Sequence, residues 1–355
     1  MKKPESLVAR ALRQLADLDR LEQRLHEAPE QWVASSLPAK DAGLEGIESR
    51  GKSEMADAAR SELLRLLPAG RDAVRKLKKD KENTSLTREE ALGLEAIIRL
   101  EGRPAILIQD GRFLPPPEDW RVLESVRAQV EATFPSVGRI EVPGHPEVDW
   151  LGTGFLVADD VVMTNRHVAV EFCRLKNKKW VFEPGIKPRI DYREELNTGT
   201  PAEFNLTEVI GIHEEFDLAL FKVARKGTPG TTPPKPLAID TKPKLGPQRK
   251  VYIVGYPASD SKRNDPVEMR RIFAGVYNVK RLQPGELMSL SIPQSQMSHD
   301  CSTLGGNSGS CVINLETHKV VGLHFRGKYL QANDAIILSR LAADPLIKKA
   351  ALNFV

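Results

Sequence analysis

A serine near the end of the chain stands in a setting suited to nucleophilic chemistry. The segment GGNSGS, residues 305–310, surrounds Ser308 with glycines. Glycine permits a tight turn, and the backbone N–H groups of such a turn can converge on the oxyanion that forms when a carbonyl is attacked. The segment therefore predicts a nucleophilic serine presented on a turn.

A histidine and an aspartate upstream could activate this serine. A hydroxyl becomes a strong nucleophile when a positioned imidazole takes its proton and a buried carboxylate fixes the tautomer of that imidazole. Residues 152–157 and 161–168 flank a turn at 158–160 and are predicted as two strands, with His167 at the end of the second. Asp217 opens the apolar segment 217–223, a predicted strand that a carboxylate does not enter without a partner.

The order of these residues carries further information. Asp217 follows His167 by 50 residues and Ser308 comes later still, the order found in chymotrypsin and not in subtilisin or the α/β-hydrolases. The chain resembles a trypsin-like serine protease of the chymotrypsin fold over roughly residues 132–345. Its segments "TNRHV" and "GGNSGS" are most similar in wording to bacterial glutamyl endopeptidases. The resemblance implies that His167 is the general base, Asp217 its orienting partner and Ser308 the nucleophile, with the N–H groups of Gly306 and Ser308 as the oxyanion hole.

Each signal taken alone has a plainer interpretation. A Gly-x-Ser-Gly segment is often only a loop, a histidine after a strand is often structural, and an aspartate at a strand start is often a turn residue. The ordered combination in strand-like contexts favours the catalytic interpretation. The other histidines considered are weaker candidates for the base: His145, His213, His299 and His318.

The resemblance also implies the position of a specificity pocket. It would be lined by Ser302, Thr303 and the strand 322–327, and no carboxylate occupies these positions, which disfavours Lys or Arg substrates. Thr303 and His324 match the residue types with which glutamyl endopeptidases hold an acidic side chain, and Arg326 would add positive potential. A small or apolar pocket with a structural His324 is the alternative. The backbone of Phe325, Arg326 and Gly327 is expected to pair with substrate as an added strand.

Two departures from the digestive enzymes limit the resemblance. Asn307 replaces the aspartate that pairs with a newly cleaved N-terminus in those enzymes, and no Ile-Val-Gly-Gly segment is present, so activation by that salt bridge is not expected. The three cysteines are an odd number, which excludes a full disulfide framework. Cys173 and Cys311 have apolar neighbours and are predicted to be buried thiols.

Composition is that of an ordinary globular protein. The 355 residues are 41% hydrophobic and 28% charged, with a net charge of +4. Charged residues interrupt the apolar ones near the N-terminus, so no signal peptide or membrane span is expected and a cytoplasmic location is predicted. The sequence contains no metal-ligand cluster, phosphate loop or cofactor fingerprint, and neither metal nor cofactor is expected.

Residues 1–104 are predicted as a helical domain. An apolar stripe between Val8 and Leu25 predicts one helix, residues 37–51 a loop, and the segment from Met55 to Leu67 a second helix ending near Pro68. Thr87 and Glu90 have the spacing of a capping box before a third helix that ends near Gly102 and Pro104. These stripes favour bundle packing over an exposed partner-binding face.

The basic run 71–81 favours a solvated helix end over a nucleic-acid patch, because no aromatic residues interleave with it.

The rest of the chain is predicted to be mainly β. Residues 105–134 are expected to hold a hairpin around Asp110-Gly111, a spacer at Pro115-Pro116-Pro117 and a helix from Trp120 to Phe134, and residues 135–347 the peptidase barrels. The fold class is therefore α+β multidomain, a helical N-terminal domain followed by an all-β double barrel of chymotrypsin type.

These features predict a serine endopeptidase acting on protein or peptide substrates, with an acidic preference and regulation by a protein partner through residues 1–104. The helical extension, and the restraint that a cytoplasmic protease requires, suggest a regulated protease of a bacterial stress or defence response. The competing hypothesis is a latent or inactive protease-fold adaptor that binds a protein partner. Neither a membrane nor nucleic acid is expected as a partner.

Overall fold

The computed structural model describes residues 7–15, 17–27, 47–196, 198, 200–258, 276–328 and 332–355. The described residues fall into two compact units. One contains those of Met1–Ile106 together with Leu114–Val126 and residues 276–277, and the other contains Leu107–Phe113, those of Arg127–Ala258, and those of Asn278–Val355. No helix in the described part of the chain is both long and apolar enough to cross a membrane.

The first unit is built from helices around an apolar core. The main helices are α1 Leu7–Gln14, α2 Leu18–Glu27, α3 Ile47–Asp80 and α4 Arg88–Ile97. Shorter turns are Lys81–Asn83, Ile98–Gly102 and Glu118–Trp120, followed by the one-turn helix α5 Val122–Ser125. Leu21, Leu63, Val74, Leu94 and Ile97 are buried together in its core, so the apolar stripes pack on one another.

The single helix expected between Val8 and Leu25 is two helices. Asp17 separates them, and its carboxylate accepts a hydrogen bond of 2.9 Å from the N–H of Arg20. That is the bond of a helix N-cap, so Asp17 begins α2. Of the loop expected at 37–51, residues 37–46 lie outside the described residues, and 47–51 belong to α3.

The prediction that the second helix ends near Pro68 was wrong. Helix α3 continues through Pro68 to Asp80. Proline costs a helix one hydrogen bond and a steric clash with the preceding turn, but the apolar stripe does not stop there: Ala73, Val74 and Leu77 are fully buried beyond it. Burial of these side chains against the rest of the unit offsets the local cost.

The capping box at Thr87 was predicted correctly. The N–H of Glu90 donates to Thr87 Oγ1 at 3.2 Å, and the N–H of Thr87 donates to Glu90 Oε2 at 2.8 Å.

The basic run 71–81 is largely paired inside the same unit. Arg75 and Lys78 both contact Glu22 at 2.6 Å, and Lys76 contacts Glu90 at 2.8 Å. These pairings agree with a solvated helix face.

The second unit contains a first closed barrel of six antiparallel strands. They are β3 Val137–Glu141, β4 Trp150–Ala158, β5 Val161–Thr164, β8 Arg189–Asp191, β9 Glu203–Ile212 and β10 Ala219–Val223. A separate hairpin, β6 Cys173–Lys176 with β7 Lys179–Phe182, lies between β5 and β8 in sequence. Phe172, Phe204 and Phe221 are buried in the barrel core.

The second barrel closes in the same way. Its strands are β11 Lys250–Gly255, β12 Arg281–Ser291, β13 Gln296–His299, β14 Cys311–Asn314, β15 Val320–Lys328 and β16 Ala332–Ile337. Pairing of β11 with both β14 and β12 closes the ring. The helix α8 Pro345–Ala350 follows. Two closed six-stranded barrels preceded by helices confirm the predicted α+β fold class.

The hairpin around Asp110-Gly111 was also predicted correctly. Strands β1 Ile106–Gln109 and β2 Arg112–Phe113 pair across it, and β1 extends the sheet of the second barrel beside β12. Both turn residues have positive φ, 51° and 72°, as a two-residue hairpin requires.

The helix expected from Trp120 to Phe134 is instead a series of short segments. The one-turn helix α5 ends at Ser125, α6 spans Arg127–Glu131, and a turn follows at Phe134–Ser136. The chain leaves the first compact unit after Val126. Because no single apolar surface lies along its whole length, the amphipathic pattern is divided between two cores.

Candidate active site

His167 and Asp217 form a doubly hydrogen-bonded pair. The Nδ1 atom of His167 lies 2.6 Å from Oδ2 of Asp217, and the N–H of His167 donates to Oδ1 at 2.9 Å. His167 lies in a one-turn helix, α7 Arg166–Ala169, after β5 and not at the end of that strand. Asp217 likewise precedes β10 by two residues and does not open it. Both residues thus leave the barrel on short connections that can turn toward each other.

The backbone around this pair is also fixed. Asn165 Nδ2 donates to the carbonyl of Asp217 at 2.9 Å, and an Arg166 guanidinium nitrogen donates to the carbonyl of Phe216 at 2.7 Å. Sequence reasoning used the segment "TNRHV" for its histidine alone and missed these two roles. Their effect is to hold the Asp217 segment against the His167 helix.

The ionised form of Asp217 is stabilised by its neighbours. Burial raises the pKa of Asp217, but the hydrogen bond from His167 and the nearby His167 and Arg166 charges outweigh it, so the pKa lies below its usual range. The carboxylate is therefore ionised at neutral pH. Its Oδ2 contact with Nδ1 sets the His167 tautomer that leaves Nε2 free to accept a proton.

Ser308 lies on a turn whose flanking glycines have backbone angles suited to glycine. Gly306 has φ of 85° and Gly309 has φ of 89°, in the left-handed region. A Cβ at Gly306 would lie 2.6 Å from the Trp150 ring, and one at Gly309 would strike the carbonyl oxygen of Thr153. The predicted need for glycine therefore has both a conformational and a steric cause.

Thr153 on β4 anchors this turn. Its hydroxyl donates to the Gly306 carbonyl at 2.7 Å, and its N–H donates to the Ser308 carbonyl at 2.8 Å. Among the described residues, the N–H groups of Gly306 and Ser308 donate to no protein acceptor, whereas the N–H of Asn307 donates to the carbonyl of Leu304 at 3.2 Å. The two unengaged groups are those that the resemblance assigns to the oxyanion hole.

The Ser308 turn lies beside the His167 helix, and Gly152 separates them. A Cβ on Gly152 would lie 2.8 Å from the Ser308 carbonyl oxygen and 3.0 Å from Cγ2 of Val168. In the part of the chain that is described, the Ser308 hydroxyl makes no hydrogen bond to His167. Such a bond is often long before substrate binds and shortens in the reacting complex.

Two of the residues expected to line the specificity pocket, Thr303 and Gly327, lie beside a residue that was not predicted, Asn333. Thr303 Oγ1 donates to Asn333 Oδ1 at 2.7 Å, and Asn333 Nδ2 donates to the Cys301 carbonyl at 2.6 Å. A Cβ on Gly327 would lie 2.9 Å from Asn333 Oδ1. Ser302 is buried, and its carbonyl accepts from Gln283. No sequence motif marks Asn333, because it meets Thr303 only through the pairing of separate strands.

His324 and Arg326 have different environments. His324 is 2% exposed and its Nδ1 lies 3.2 Å from Nε2 of His299. Burial, and then the nearby His299 and His167, lower the pKa of His324 well below its usual value, so it is neutral at pH 7. Arg326 is exposed and donates to Asp334 at 2.7 Å, and its guanidinium lies 5.6 Å from the centre of the half-buried Phe325 ring.

One group of carboxylates could be considered for a metal ion. Glu141, Asp191 and Glu194 offer oxygens within 4.8 Å of one another. Arg139 contacts Glu141 at 2.6 Å and Glu194 at 3.0 Å, and Arg189 contacts the other Glu141 oxygen at 2.7 Å. Guanidinium nitrogens therefore already contact both oxygens of Glu141 and one oxygen of Glu194, so these two carboxylates belong to an ion-pair network.

Comparison with known proteins gives one family match, and it also finds solved structures that are distantly similar. The trypsin-like peptidase domain matches residues 152–323. The active form of the Rv3671c protease from M. tuberculosis is 20% identical over 65% of this chain and 87% of that chain, with a TM-score of 0.43. Deg5 is 19% identical over 62% and 91%, with a TM-score of 0.44, and the serine endoprotease from Yersinia pestis is 16% identical over 62% and 66%, with a TM-score of 0.41. No curated protein matches the chain.

The matched segment includes His167, Asp217 and Ser308. The similarity to glutamyl endopeptidases in particular stays a prediction. The double barrel and the family match together identify the chain as a serine endopeptidase that carries a trypsin-like peptidase domain of the chymotrypsin fold.

Proposed function

We propose that Ser308, His167 and Asp217 are the catalytic triad of this endopeptidase. The observation that carries the proposal is the pair of hydrogen bonds between His167 and Asp217, at 2.6 and 2.9 Å, beside the anchored Ser308 turn. A carboxylate bound to both the ring and the backbone of a histidine fixes the orientation of its imidazole. The unengaged N–H groups of Gly306 and Ser308 support an oxyanion hole at the same turn.

The mechanism follows from these roles. Ser308 Oγ attacks the substrate carbonyl carbon while His167 Nε2 takes the hydroxyl proton, and the N–H groups of Gly306 and Ser308 donate to the oxyanion. The protonated His167 then gives its proton to the leaving amine as the C–N bond breaks. Water, deprotonated by His167, hydrolyses the acyl-enzyme and releases Ser308. Asp217 stabilises the imidazolium at each proton transfer.

Covalent labelling of the full chain with a fluorophosphonate probe tests the proposal. The wild-type protein should label, and Ser308→Ala should fold normally but neither label nor cleave peptides. Equal labelling of the two proteins would exclude Ser308 as the nucleophile. Folded wild-type protein that neither labels nor cleaves would favour the latent adaptor.

An acidic preference is proposed for the specificity pocket. Its support is chemical: Thr303 and His324 can hydrogen-bond a carboxylate, and no acidic residue is among the residues predicted to line the pocket. Because His324 is neutral at pH 7 and Arg326 pairs with Asp334, the acid would be held by hydrogen bonds more than by net charge.

One observation favours a second candidate, a small side chain. Asn333 reaches Thr303 and approaches Gly327, which narrows the space between them. A matched peptide series that differs only at the residue before the cleaved bond, with Glu, Asp, Gln, Ala, Val and Lys, separates the candidates. Faster cleavage of Glu and Asp than of Gln supports the acidic preference, whereas highest rates with Ala or Val support the small pocket. Lys should be cleaved slowly in either case.

A regulatory role is proposed for residues 1–104, supported by a helical unit that the peptidase chemistry does not use. The test compares the full chain with a shortened chain that keeps the hairpin β1–β2, because β1 pairs with a strand of the second barrel. Equal rates on both peptide and protein substrates would count against regulation. The three cysteines are buried thiols that form no disulfide, which supports a reducing compartment such as a bacterial cytoplasm.

A further inference from the structure

We propose that His213 is a positioning residue for catalysis, which holds the segment before Asp217 in place while Asp344 selects its tautomer. The inference rests on the proposed triad, because it concerns how Asp217 is oriented. His213 was considered above only as a weak candidate for the base. It makes no contact with His167 or Ser308 among the described residues, so any effect on the reaction passes through Asp217.

The ring nitrogen Nδ1 of His213 closes the turn that leads to Asp217. It accepts hydrogen bonds from the N–H groups of Glu215 at 3.1 Å and Phe216 at 3.0 Å. The backbone N–H of His213 also donates to the Leu218 carbonyl at 2.9 Å. The residues on both sides of Asp217 are therefore bonded to His213.

The backbone N–H groups at Nδ1 and the carboxylate of Asp344 at Nε2 favour the same tautomer of His213. Because Nδ1 accepts two N–H bonds it cannot carry a proton, so the neutral ring is protonated at Nε2. Nε2 lies 3.2 Å from Oδ2 of Asp344. Oδ1 of Asp344 accepts from the N–H groups of Leu346 and Ile347, at 2.8 and 3.2 Å, and caps helix α8. This second histidine–carboxylate pair connects the C-terminal helix to the Asp217 turn.

The combined contacts fix Phe216 on both sides. Its N–H donates to His213, its carbonyl accepts from Arg166, and its ring meets the His213 ring edge-on at 5.0 Å. A rotation of the peptide between Phe216 and Asp217 would move the carboxylate away from His167 and would break these bonds. Small displacements of a catalytic group reduce the rate strongly, so His213 should act on kcat.

Two variants of the full chain remove the contacts selectively. His213→Phe keeps an aromatic ring against Phe216 but removes both nitrogens. Asp344→Asn keeps a cap for α8, because asparagine is also a good N-cap, but can place an NH₂ group against Nε2 and so favour the wrong tautomer. His213→Asn tests rescue, since its side-chain oxygen can accept the same backbone N–H groups as in an Asx turn.

The chain supplies a matched control. His145 makes the same local pattern in another loop, with Nδ1 accepting from the N–H groups of Glu147 and Val148 at 3.2 and 3.3 Å. His145→Phe therefore measures the cost of losing such a turn away from the proposed triad. Its kcat should stay that of the wild type.

We expect His213→Phe and Asp344→Asn to lower kcat about 10- to 100-fold, with KM within about twofold of wild type and recovery in His213→Asn.

The outcomes separate this inference from the proposed function. If Ser308→Ala abolishes activity but His213→Phe and Asp344→Asn match His145→Phe in kcat, the triad stands and the positioning role is overturned. If wild-type activity does not depend on Ser308, the proposed function fails and the inference falls with it. As a readout independent of turnover, the fluorophosphonate probe should label His213→Phe more slowly than His145→Phe, and equal labelling rates contradict the inference.

Discussion

At the scale of single residues, the site depends on how one carboxylate holds both the ring and the backbone of one histidine. Asp217 uses one oxygen for the His167 ring and the other for the His167 backbone. The first contact selects the tautomer and the second fixes the approach angle. Asparagine cannot take the place of Asp217, because one of its two polar groups is an NH₂ donor and both oxygens of Asp217 accept hydrogen bonds.

Asp217→Asn should therefore lower kcat by about 10⁴-fold with little change in stability. The amide group can present N–H to Nδ1, which favours the tautomer that cannot accept the Ser308 proton. Steady-state kinetics with a peptide substrate measures the effect, and circular dichroism checks the fold. A fall in kcat of less than tenfold would contradict the proposed role of Asp217.

The buried His299 predicts a loss of stability in acid. Burial lowers its pKa from 6.5 to about 4, so between these values the unfolded chain binds a proton that the folded chain does not. Above about pH 6.5 His299 causes no loss of stability. As the pH falls from 6.5 to 4, proton uptake by the unfolded chain lowers the free energy of unfolding by about 3 kcal/mol. Urea unfolding at several pH values measures this slope.

His299→Gln is the informative variant for this prediction. Glutamine can still donate to His324 but does not titrate, so the pH dependence below 6.5 should be shallower than in the wild type. His145→Gln, at a half-buried histidine, serves as the control. Parallel slopes for wild type and His299→Gln would show that another group causes the acid loss.

At the scale of secondary-structure elements, helices α3 and α4 meet at two glycines. A Cβ on Gly93 would lie 2.6 Å from Cα of Gly70 and 2.8 Å from the Leu66 carbonyl oxygen. These are backbone atoms and cannot move aside as a flexible side chain would. Pro68 and Gly70 are both poor helix formers, and the close contact between α3 and α4 at Gly70 offsets their low helix propensity.

Gly93→Ala should therefore destabilise the helical unit. Alanine is favoured over glycine in a helix by about 1 kcal/mol, but overpacking costs about 1–3 kcal/mol, and the obstacle here is backbone. Gly246→Ala is a control, because no atom lies within 4 Å of its added Cβ. Thermal unfolding should show a lower midpoint for Gly93→Ala only, and a raised midpoint would mean that propensity outweighs the contact.

At the scale of the whole molecule, each unit has its own hydrophobic core, and no cysteine forms a disulfide. Cys173, Cys301 and Cys311 are all buried thiols. Burial and the nearby Glu183 raise the pKa of Cys173 to about 12, and burial raises that of Cys311 to about 12 as well. Neither thiol is ionised at neutral pH, and the thiolate is the reactive form.

A thiol-reactive chromogenic reagent at pH 8 should therefore detect almost no thiol in the native protein and three per chain in denaturant. Reductant should not change the unfolding midpoint. A native thiol that reacts at the rate of a small-molecule thiol would contradict the burial of these residues, and a midpoint lowered by reductant would indicate a disulfide.

The sequence alone was enough to predict features that depend on neighbouring residues. The Asp110-Gly111 hairpin, the capping box at Thr87 and the Ser308 turn each follow from short segments, because backbone angles and local hydrogen bonds decide them. The double barrel was predicted from the motif order together with a family resemblance. Periodicity also located the helices of the first unit, but not their ends.

Only the tertiary structure decided the features that depend on residues far apart in sequence. Helix α3 passes Pro68 because burial continues beyond it, and Asn333 on β16 meets Thr303 because β16 pairs with β13, the strand that leads to Thr303. The same holds for His213, whose partner Asp344 is 131 residues away. Propensity and spacing describe only local energies, whereas long-range packing and hydrogen bonds exist only once the chain is folded.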